Sequence, residues 1–406
     1  MPVLDVTQQR EMHLHADASP LGAAPRRMVV GVTHEQTCLV LNGRLRALRA
    51  AGFEVTLTSS PGELLKRMAL DEGVVTWPIC MRRGISPIAD LWSFSALLLF
   101  LARLRPEITD FSTPKAGLLG NVAAWILRVP HRVYTLRGLK LETVRGVKRW
   151  LLLWSERIAA GCAHVVLCNS ETLRTAAMGL RIAPAEKLLV LGDGSSNGVD
   201  TERFSPAKSA PRSGDLRGEL GIPEGAPVLG FVGRLTNDKG VPELLVAFEE
   251  ILLAEPECWL LLVGWFDGSE DALDVRWREH IAGHPRIVHT GFARDTAPYY
   301  LMMDLLVLPT HREGFPNVVL EAAASGLPVI TTESTGARDA VLPEVTGLLV
   351  PPRMPQAIVG AAVRLIRDEA KRKRMGAAAR VWVVEKYSKE RVLALAAEFY
   401  KSLLEE

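Results

Sequence analysis

A chain of 406 residues, 48% hydrophobic and 23% charged, is long enough for two globular domains and too apolar for a disordered one. Its net charge of +2 gives no broad basic footprint for nucleic acid. Five scattered cysteines, an odd number with no metal-site spacing, argue against a disulfide framework and for a reduced, cytosolic protein.

Residues 1–27 are polar and lack the apolar stretch of a signal peptide. "MVVGVT" (28–33) then predicts a buried strand, "RLRALRAAG" (44–52) a helix ending at Gly52, and "FEVTLTSS" (53–60) a second strand. "LWSFSALLLFLARL" (91–104) is the most apolar run, too short to cross a bilayer and closed by Arg103 and Arg105. Strands follow at "EITDFST", "HRVYTLRG" and "HVVLCNS". A second apolar helical segment, "KRWLLLWSERIAA" (148–160), lies between the last two. Both apolar segments suit either a core helix or a membrane interface. Residues 205–227, rich in Pro, Gly and Ser, read as an interdomain linker. A second series of strands begins at "PVLGFVGR" (227–234) and continues through "CWLLLVGW", "RIVHTGF", "DLLVLPT" and "LPVITTE". Strands alternating with helices predict parallel sheets covered on both faces. The expected fold class is α/β, with two Rossmann-like doubly wound domains facing a central cleft. The boundaries are 1–27 for a polar extension, 28–207 and 208–385 for the domains, and 386–406 for a final helix.

In such sheets ligands bind beyond the carboxyl ends of the strands. Two loops there carry chemistry. "GRLTNDKGVPELL" (233–245) leaves a strand and opens a helix, with Pro242 in its first turn. Gly233 and Gly240 allow close backbone approach, and Arg234 and Lys239 flank the helix N-terminus. This is a diphosphate site or a turn with two solvated cations. It matches neither the phosphate-loop nor the dinucleotide signature. "HREGFPNVVLEAAASGLP" (311–328) has Glu313 in the loop, Asn317 as the expected N-cap, Glu321 one turn into the helix and Gly326 as the stop. A carboxylate at 321 can accept two hydrogen bonds from a ribose diol. Alternatively each Glu forms an ion pair, with Arg312 or Arg338 as partner.

Both loops resemble those of the retaining glycosyltransferases of family 4, which have the GT-B fold. The matching residues are Gly233-Arg234, Lys239-Gly240, Glu313 and Glu321 eight positions apart, Ala322, "GLPVI", "NGVD" (197–200) and "TGLLVP" (346–351). The likeness runs from about residue 28. "STPKAGLLGNVAA" with "RVYTLRGL" is similar to bacterial members that build capsules, exopolysaccharides and lipopolysaccharide.

The resemblance implies transfer of a hexose or N-acetylhexosamine from a nucleotide sugar, with a UDP-sugar favoured. The acceptor it implies is a glycan, typically lipid-pyrophosphate-linked. It places the donor on the second domain, at Gly233, Arg234, Lys239, Glu313, Gly314, Phe315, Asn317, Val318 and Glu321. Glu313, Arg234, Lys239 and Arg137 are the implied catalytic residues. His34, Lys115 and Arg137 are the acceptor-side candidates on the first domain. Many members carry a His where this chain has Arg137, which cannot act as a general base. His131 precedes the strand, at its other end. No metal or other cofactor is expected. "DGSEDALD" (267–274) lacks the D-x-D spacing and reads as a solvated loop and helix start. The expected location is cytoplasmic, with peripheral contact at the inner face of the plasma membrane, and no nucleic-acid partner. A nucleotide-sugar epimerase, a sugar phosphorylase or a non-catalytic sugar-nucleotide-binding subunit are the alternatives on the same fold.

Overall fold

The computed structural model describes residues 26–82, 84, 86–207, 216–268 and 270–405. Most of the 1–27 extension and residues 208–215 of the Pro/Gly/Ser-rich stretch lie outside them.

Two parallel sheets form the molecule. The first has β1 (Arg26–Gly31), β2 (Phe53–Ser59), β3 (Val75–Pro78), β4 (Ile108–Ser112), β5 (His131–Leu136), β6 (Val165–Cys168) and β7 (Leu188–Leu189), in the order β3-β2-β1-β4-β5-β6-β7. The second has β8 (Val228–Val232), β9 (Trp259–Val263), β10 (Ile287–His289), β11 (Leu305–Leu308), β12 (Val329–Thr332) and β13 (Gly347–Val350), in the order β10-β9-β8-β11-β12-β13. The central strands are buried on both faces, so β8 and β11 read as unbroken apolar runs. The chain reverses its winding between β1 and β4 in one sheet and between β8 and β11 in the other. A crevice opens beyond each pair, and the two crevices face each other.

The crossing between domains lies ahead of the predicted linker. Phe204 and Ile222 are already buried in the second domain's core. The chain crosses at Val199, whose N–H donates to the Tyr387 carbonyl at 2.9 Å, while the Lys389 N–H donates to the Val199 carbonyl at 2.9 Å. The outgoing and returning strands of chain are therefore tied together at one point. After Ser388 the helix Lys389–Ser402 returns to the first domain. There Tyr400 and Leu403 pack with Leu41, Leu45 and Leu48. The Tyr400 hydroxyl donates to Asp110 Oδ2 at 2.7 Å and accepts from Arg44 Nη2 at 3.2 Å.

The opposite face of the first sheet carries the helices Pro87–Leu104, Pro114–Ile126 and Gly146–Cys162, packed side by side. The middle one turns Ala116, Gly117, Gly120, Ala123 and Ala124 inward, which lets it lie close on β4 and β5.

Candidate active site

Beyond β8 the loop drops through a 3-10 turn, Asn237–Lys239, into the helix Val241–Ala254. Gly240 joins them at φ 72°, and a Cβ there would collide with the Pro309 carbonyl. Asp238 is buried and is the anchor of the loop. Its Oδ1 accepts from the Thr236 hydroxyl at 2.6 Å and its Oδ2 from Arg312 at 3.0 Å. Burial works to raise the Asp238 carboxyl, but Lys239, Thr236, Arg312 and Arg234 outweigh it and hold it below the usual range. Arg312 is thus committed to Asp238 and is the partner of neither Glu313 nor Glu321.

Lys239 Nζ instead pairs with Glu313 Oε1. Arg234 bridges Asp267 Oδ2 at 2.6 Å. Asp267 is mostly buried, so the start of "DGSEDALD" anchors the loop that carries Arg234 and is not a solvated turn. Burial works against the Arg234 charge, but Asp267, Asp238 and Glu313 raise its pKa, keeping it cationic.

The second loop enters the helix Asn317–Ala324 through Pro316, which occupies the N-cap position expected for Asn317. No side chain caps this helix, so its first-turn N–H groups and positive end are presented to the cleft. Asn317 Oδ1 is buried without a hydrogen-bond partner among the described residues. Glu321, in the second turn, meets neither Arg312 nor Arg338. The buried Tyr300 hydroxyl donates to its Oε2 at 2.8 Å, with Thr296 Oγ1 at 3.5 Å. Burial pushes the Glu321 carboxyl up to about 7, against the pull of Tyr300 and Arg203.

From the first domain, Arg137 follows β5 and reaches the cleft. Its Nε donates to Ser112 Oγ at 3.0 Å and its Nη1 to Ser196 Oγ at 3.1 Å. Its Nη2 is buried with no hydrogen-bond partner among the described residues. Burial and the nearby Arg44 push its pKa down to about 10 despite Asp110 and Tyr400, so it remains charged at neutral pH. Gly314 lies so close to Arg137 that a Cβ there would run into the Arg137 carbonyl. The domains also touch at the rim, where Thr335 Oγ1 donates to Glu142 at 2.7 Å and the Gly336 N–H to Thr172 Oγ1 at 2.8 Å.

A cavity of about 280 Å³ occupies the meeting point. Arg137, Gly233, Lys239, Glu313, Gly314, Phe315, Asn317 and Val318 line it, and so do Val40, Asn169 and Ser196. Sequence reasoning missed these last three. They come from separate elements, and only Ser196, beside "NGVD", carried a signal. Arg234 and Glu321 are not among the residues that line it, though each follows a lining residue on its own loop or helix, Gly233 and Val318. Two acceptor-side candidates lie outside it. Lys115 Nζ is 2.5 Å from both Asp90 Oδ1 and the Gly84 carbonyl, and His34 caps a 3-10 helix by accepting the Gln36 N–H. His131 begins β5, at the end of the strand away from Arg137. A larger hollow of about 380 Å³ beside β13 holds Glu344 and Arg364, whose charges already satisfy each other. Among the described residues no cluster of three or more His, Cys, Asp or Glu is close enough to hold a metal ion.

The chain resembles known proteins over nearly its whole length. Residues 213–382 match the family model described as glycosyl transferases group 1, and residues 40–194 match a glycosyl transferase 4-like domain. It is 34% identical to the capsular polysaccharide biosynthesis glycosyltransferase CapM of Staphylococcus aureus, over 92% of this chain and 97% of that one. It is 30% identical to the Escherichia coli UDP-Gal:alpha-D-GlcNAc-diphosphoundecaprenol alpha-1,3-galactosyltransferase, over 71% and 73%. Among solved structures, a glycosyltransferase from Rickettsia africae superposes with a TM-score of 0.76 at 18% identity, covering 94% of this chain and 99% of that one. Anabaena Alr3699/HepE in complex with UDP and glucose gives 0.74 at 20% identity, covering 93% and 100%.

Proposed function

We propose a substrate and a mechanism for a chain that belongs to the glycosyl transferases of group 1: retaining transfer of a hexose or N-acetylhexosamine from a UDP-sugar to a lipid-pyrophosphate-linked glycan, on the cytoplasmic side of the membrane, during synthesis of a bacterial surface polysaccharide. The observation that carries this reading is the cavity between the domains. Its cations and uncapped helix end are grouped for a diphosphate, and a carboxylate stands beside them. Support for the substrates comes from the printed names of the relatives. One acts with UDP-Gal on a diphosphoundecaprenol-linked sugar, and the other serves capsule synthesis.

In this reading the diphosphate takes Lys239 from Glu313. Glu313 is released to face the sugar. Arg234 and Lys239 neutralise the charge that develops on the leaving diphosphate, where preorganised cations are most effective. Arg137 directs its Nη2, which has no partner among the described residues, at the same anion. The acceptor oxygen forms its bond to the anomeric carbon on the face from which the diphosphate departs. The leaving oxygen takes the electron pair of the broken bond and the acceptor's proton. No protein base is required, which suits an Arg at position 137. Glu321 accepts the ribose hydroxyls. Charge neutralisation falls to side chains in this scheme, so a chelator should leave turnover unchanged.

The test is kinetic. Hydrogen bonds to charged groups contribute roughly 1.5–3 kcal/mol, so Arg234→Ala or Lys239→Ala should lower kcat/KM by about 10- to 150-fold. Much of that loss should fall in kcat, because the charge develops in the transition state. Near-native kinetics in both variants would mean that the loop is only a turn. Mass analysis of products across a panel of nucleotide sugars reads the donor directly.

A further inference from the structure

Ser196 stands between two guanidinium groups. Its carbonyl accepts from Arg44 Nη1 at 3.0 Å, and its hydroxyl oxygen accepts from Arg137 Nη1 at 3.1 Å. The same oxygen accepts from Asn169 Nδ2 at 2.7 Å. A serine hydroxyl has two lone pairs and one hydrogen. Arg137 and Asn169 fill the lone pairs, so the hydrogen is left to donate. No acceptor for it lies among the described residues. Ser196 is buried and lines the cavity, and the cavity is the side that Arg44, Arg137 and Asn169 leave open.

Arg137 is fixed beside it. The Ser112 hydroxyl takes its Nε and Ser196 its Nη1, so the direction of the third nitrogen, Nη2, is set as well. Nη2 carries two hydrogens and has no partner among the described residues. Two donors from Arg137 and one from Ser196 therefore stand side by side in the cavity wall.

Charge selects what they meet. The acid of this cluster is Asp110, buried and already bonded by the Tyr400 and Thr135 hydroxyls. Asp110 supports the Arg137 charge and Arg44 opposes it. Burial pushes the Tyr400 hydroxyl up, so it stays neutral. One carboxylate thus serves two guanidinium groups. Glu313, from the second domain, is paired with Lys239. A buried surplus of positive charge is costly until an anion joins it. A sugar hydroxyl would leave the surplus in place. A phosphate oxygen accepts the hydrogens and cancels it.

We propose that the Ser196 hydroxyl is a ligand contact, donating beside Arg137 to a phosphate oxygen, and that Asn169 is a positioning residue that turns the hydroxyl hydrogen into the cavity. The transfer reading, on which this rests for the ligand's identity, places that oxygen on the departing diphosphate. A diphosphate on the acceptor has the same chemistry, and the test separates the two.

The experiment titrates the full chain with UDP and with UMP by calorimetry, beside steady-state transfer. Ser196→Ala should bind UDP about tenfold more weakly and UMP, which lacks the second phosphate, as the wild type does. Ser196→Cys keeps the volume, weakens the donor and should behave alike. In both, kcat should fall further than UDP affinity, because charge grows on the leaving oxygen in the transition state. Asn169→Ala should weaken UDP binding in the wild-type background and cost nothing more in Ser196→Ala. Asn169→Asp offers an acceptor that reclaims the hydrogen, so it too should lose UDP affinity. Equal losses for UDP and UMP, or no loss in either Ser196 variant, would overturn the contact. Full UDP affinity in Asn169→Asp would overturn the role of Asn169. Unchanged UDP affinity with a raised KM for a diphosphate-linked acceptor would overturn the assignment to the donor. A chain that shows the UDP–UMP difference and transfers no sugar would sink the transfer reading and leave the phosphate contact standing.

Discussion

Two carboxylates, Glu156 and Glu321, have been pushed by burial to about 7, and each accepts from a buried tyrosine hydroxyl. They separate structure from function. A carboxyl raised in the folded state contributes stability that is full below about pH 4.5 and is lost as pH rises through about 7. Glutamine never ionises. Glu156→Gln and Glu321→Gln should therefore match the wild type at pH 4 and exceed it above pH 8 by up to about 3 kcal/mol, less where solvent reaches the carboxyl. Urea titration at the two pH values reads this. Only Glu321→Gln should also raise KM for the donor, because of the two only Glu321 stands on the helix whose first turn lines the cavity. A raised KM in Glu156→Gln, or none in Glu321→Gln, would reverse the assignment. Lys239 and Glu313 were legible because loops leaving a parallel strand are where charged residues meet ligands. Their direct pairing was not legible, since it depends on how two loops of separate βα units settle. Lys115 looked like a ligand cation at a helix start, and Asp90, 25 positions away, had already taken it.

At the scale of elements, the strands flanking the cleft were readable because burial on both faces leaves long apolar runs. β3, an exposed edge strand, and β7, two residues long, carry no such signal. The helix Asn317–Ala324 was readable in extent but not in its cap. Pro316 occupies the N-cap, and Asn317, in the cavity wall, holds a buried oxygen with no partner among the described residues. The approach of Gly314 to the chain after β5 yields a prediction. Gly314→Ala places a methyl against the Arg137 carbonyl and keeps the two loops apart. A displacement near 1 Å at a reacting centre can cost about 100-fold, so kcat should fall by that order while UDP affinity, assigned in the proposed mechanism mainly to the second domain's loops, changes less. Calorimetric UDP binding beside steady-state rates checks it. Equal losses in both would show that Gly314 serves the donor loop alone.

At the scale of the whole molecule, the alternation of strands and helices announced two doubly wound domains. It gave no notice that the crossing lies at Val199, because the Pro/Gly/Ser composition that marks a linker falls inside the second domain's sequence. The returning helix ties the scales together. Tyr400 bridges Asp110 and Arg44, and Arg44 Nη1 donates to the Ser196 carbonyl at 3.0 Å, on the residue that also holds Arg137. Tyr400→Phe should cost about 1–3 kcal/mol by leaving a buried carboxylate and guanidinium short of a partner. A chain ended at Ser388 should lose the cooperative unfolding of the first domain. Differential scanning calorimetry would refute the coupling if the shortened chain kept its transition unchanged.

The paired crossings at Val199 and Ser388 also bear on inheritance. The second domain is one contiguous stretch, but the first is not, because its last helix follows the whole of the second. An exchange that grafted another first domain onto this second domain by one recombination joint would deliver a sheet whose socket had been shaped for a different tail. Arg44 and Asp110 of the incoming piece would face a stranger's helix. New specificities should therefore arise either by two joints that carry the tail along, or by piecemeal change of loops such as 137–145, with the tail and its socket descending together.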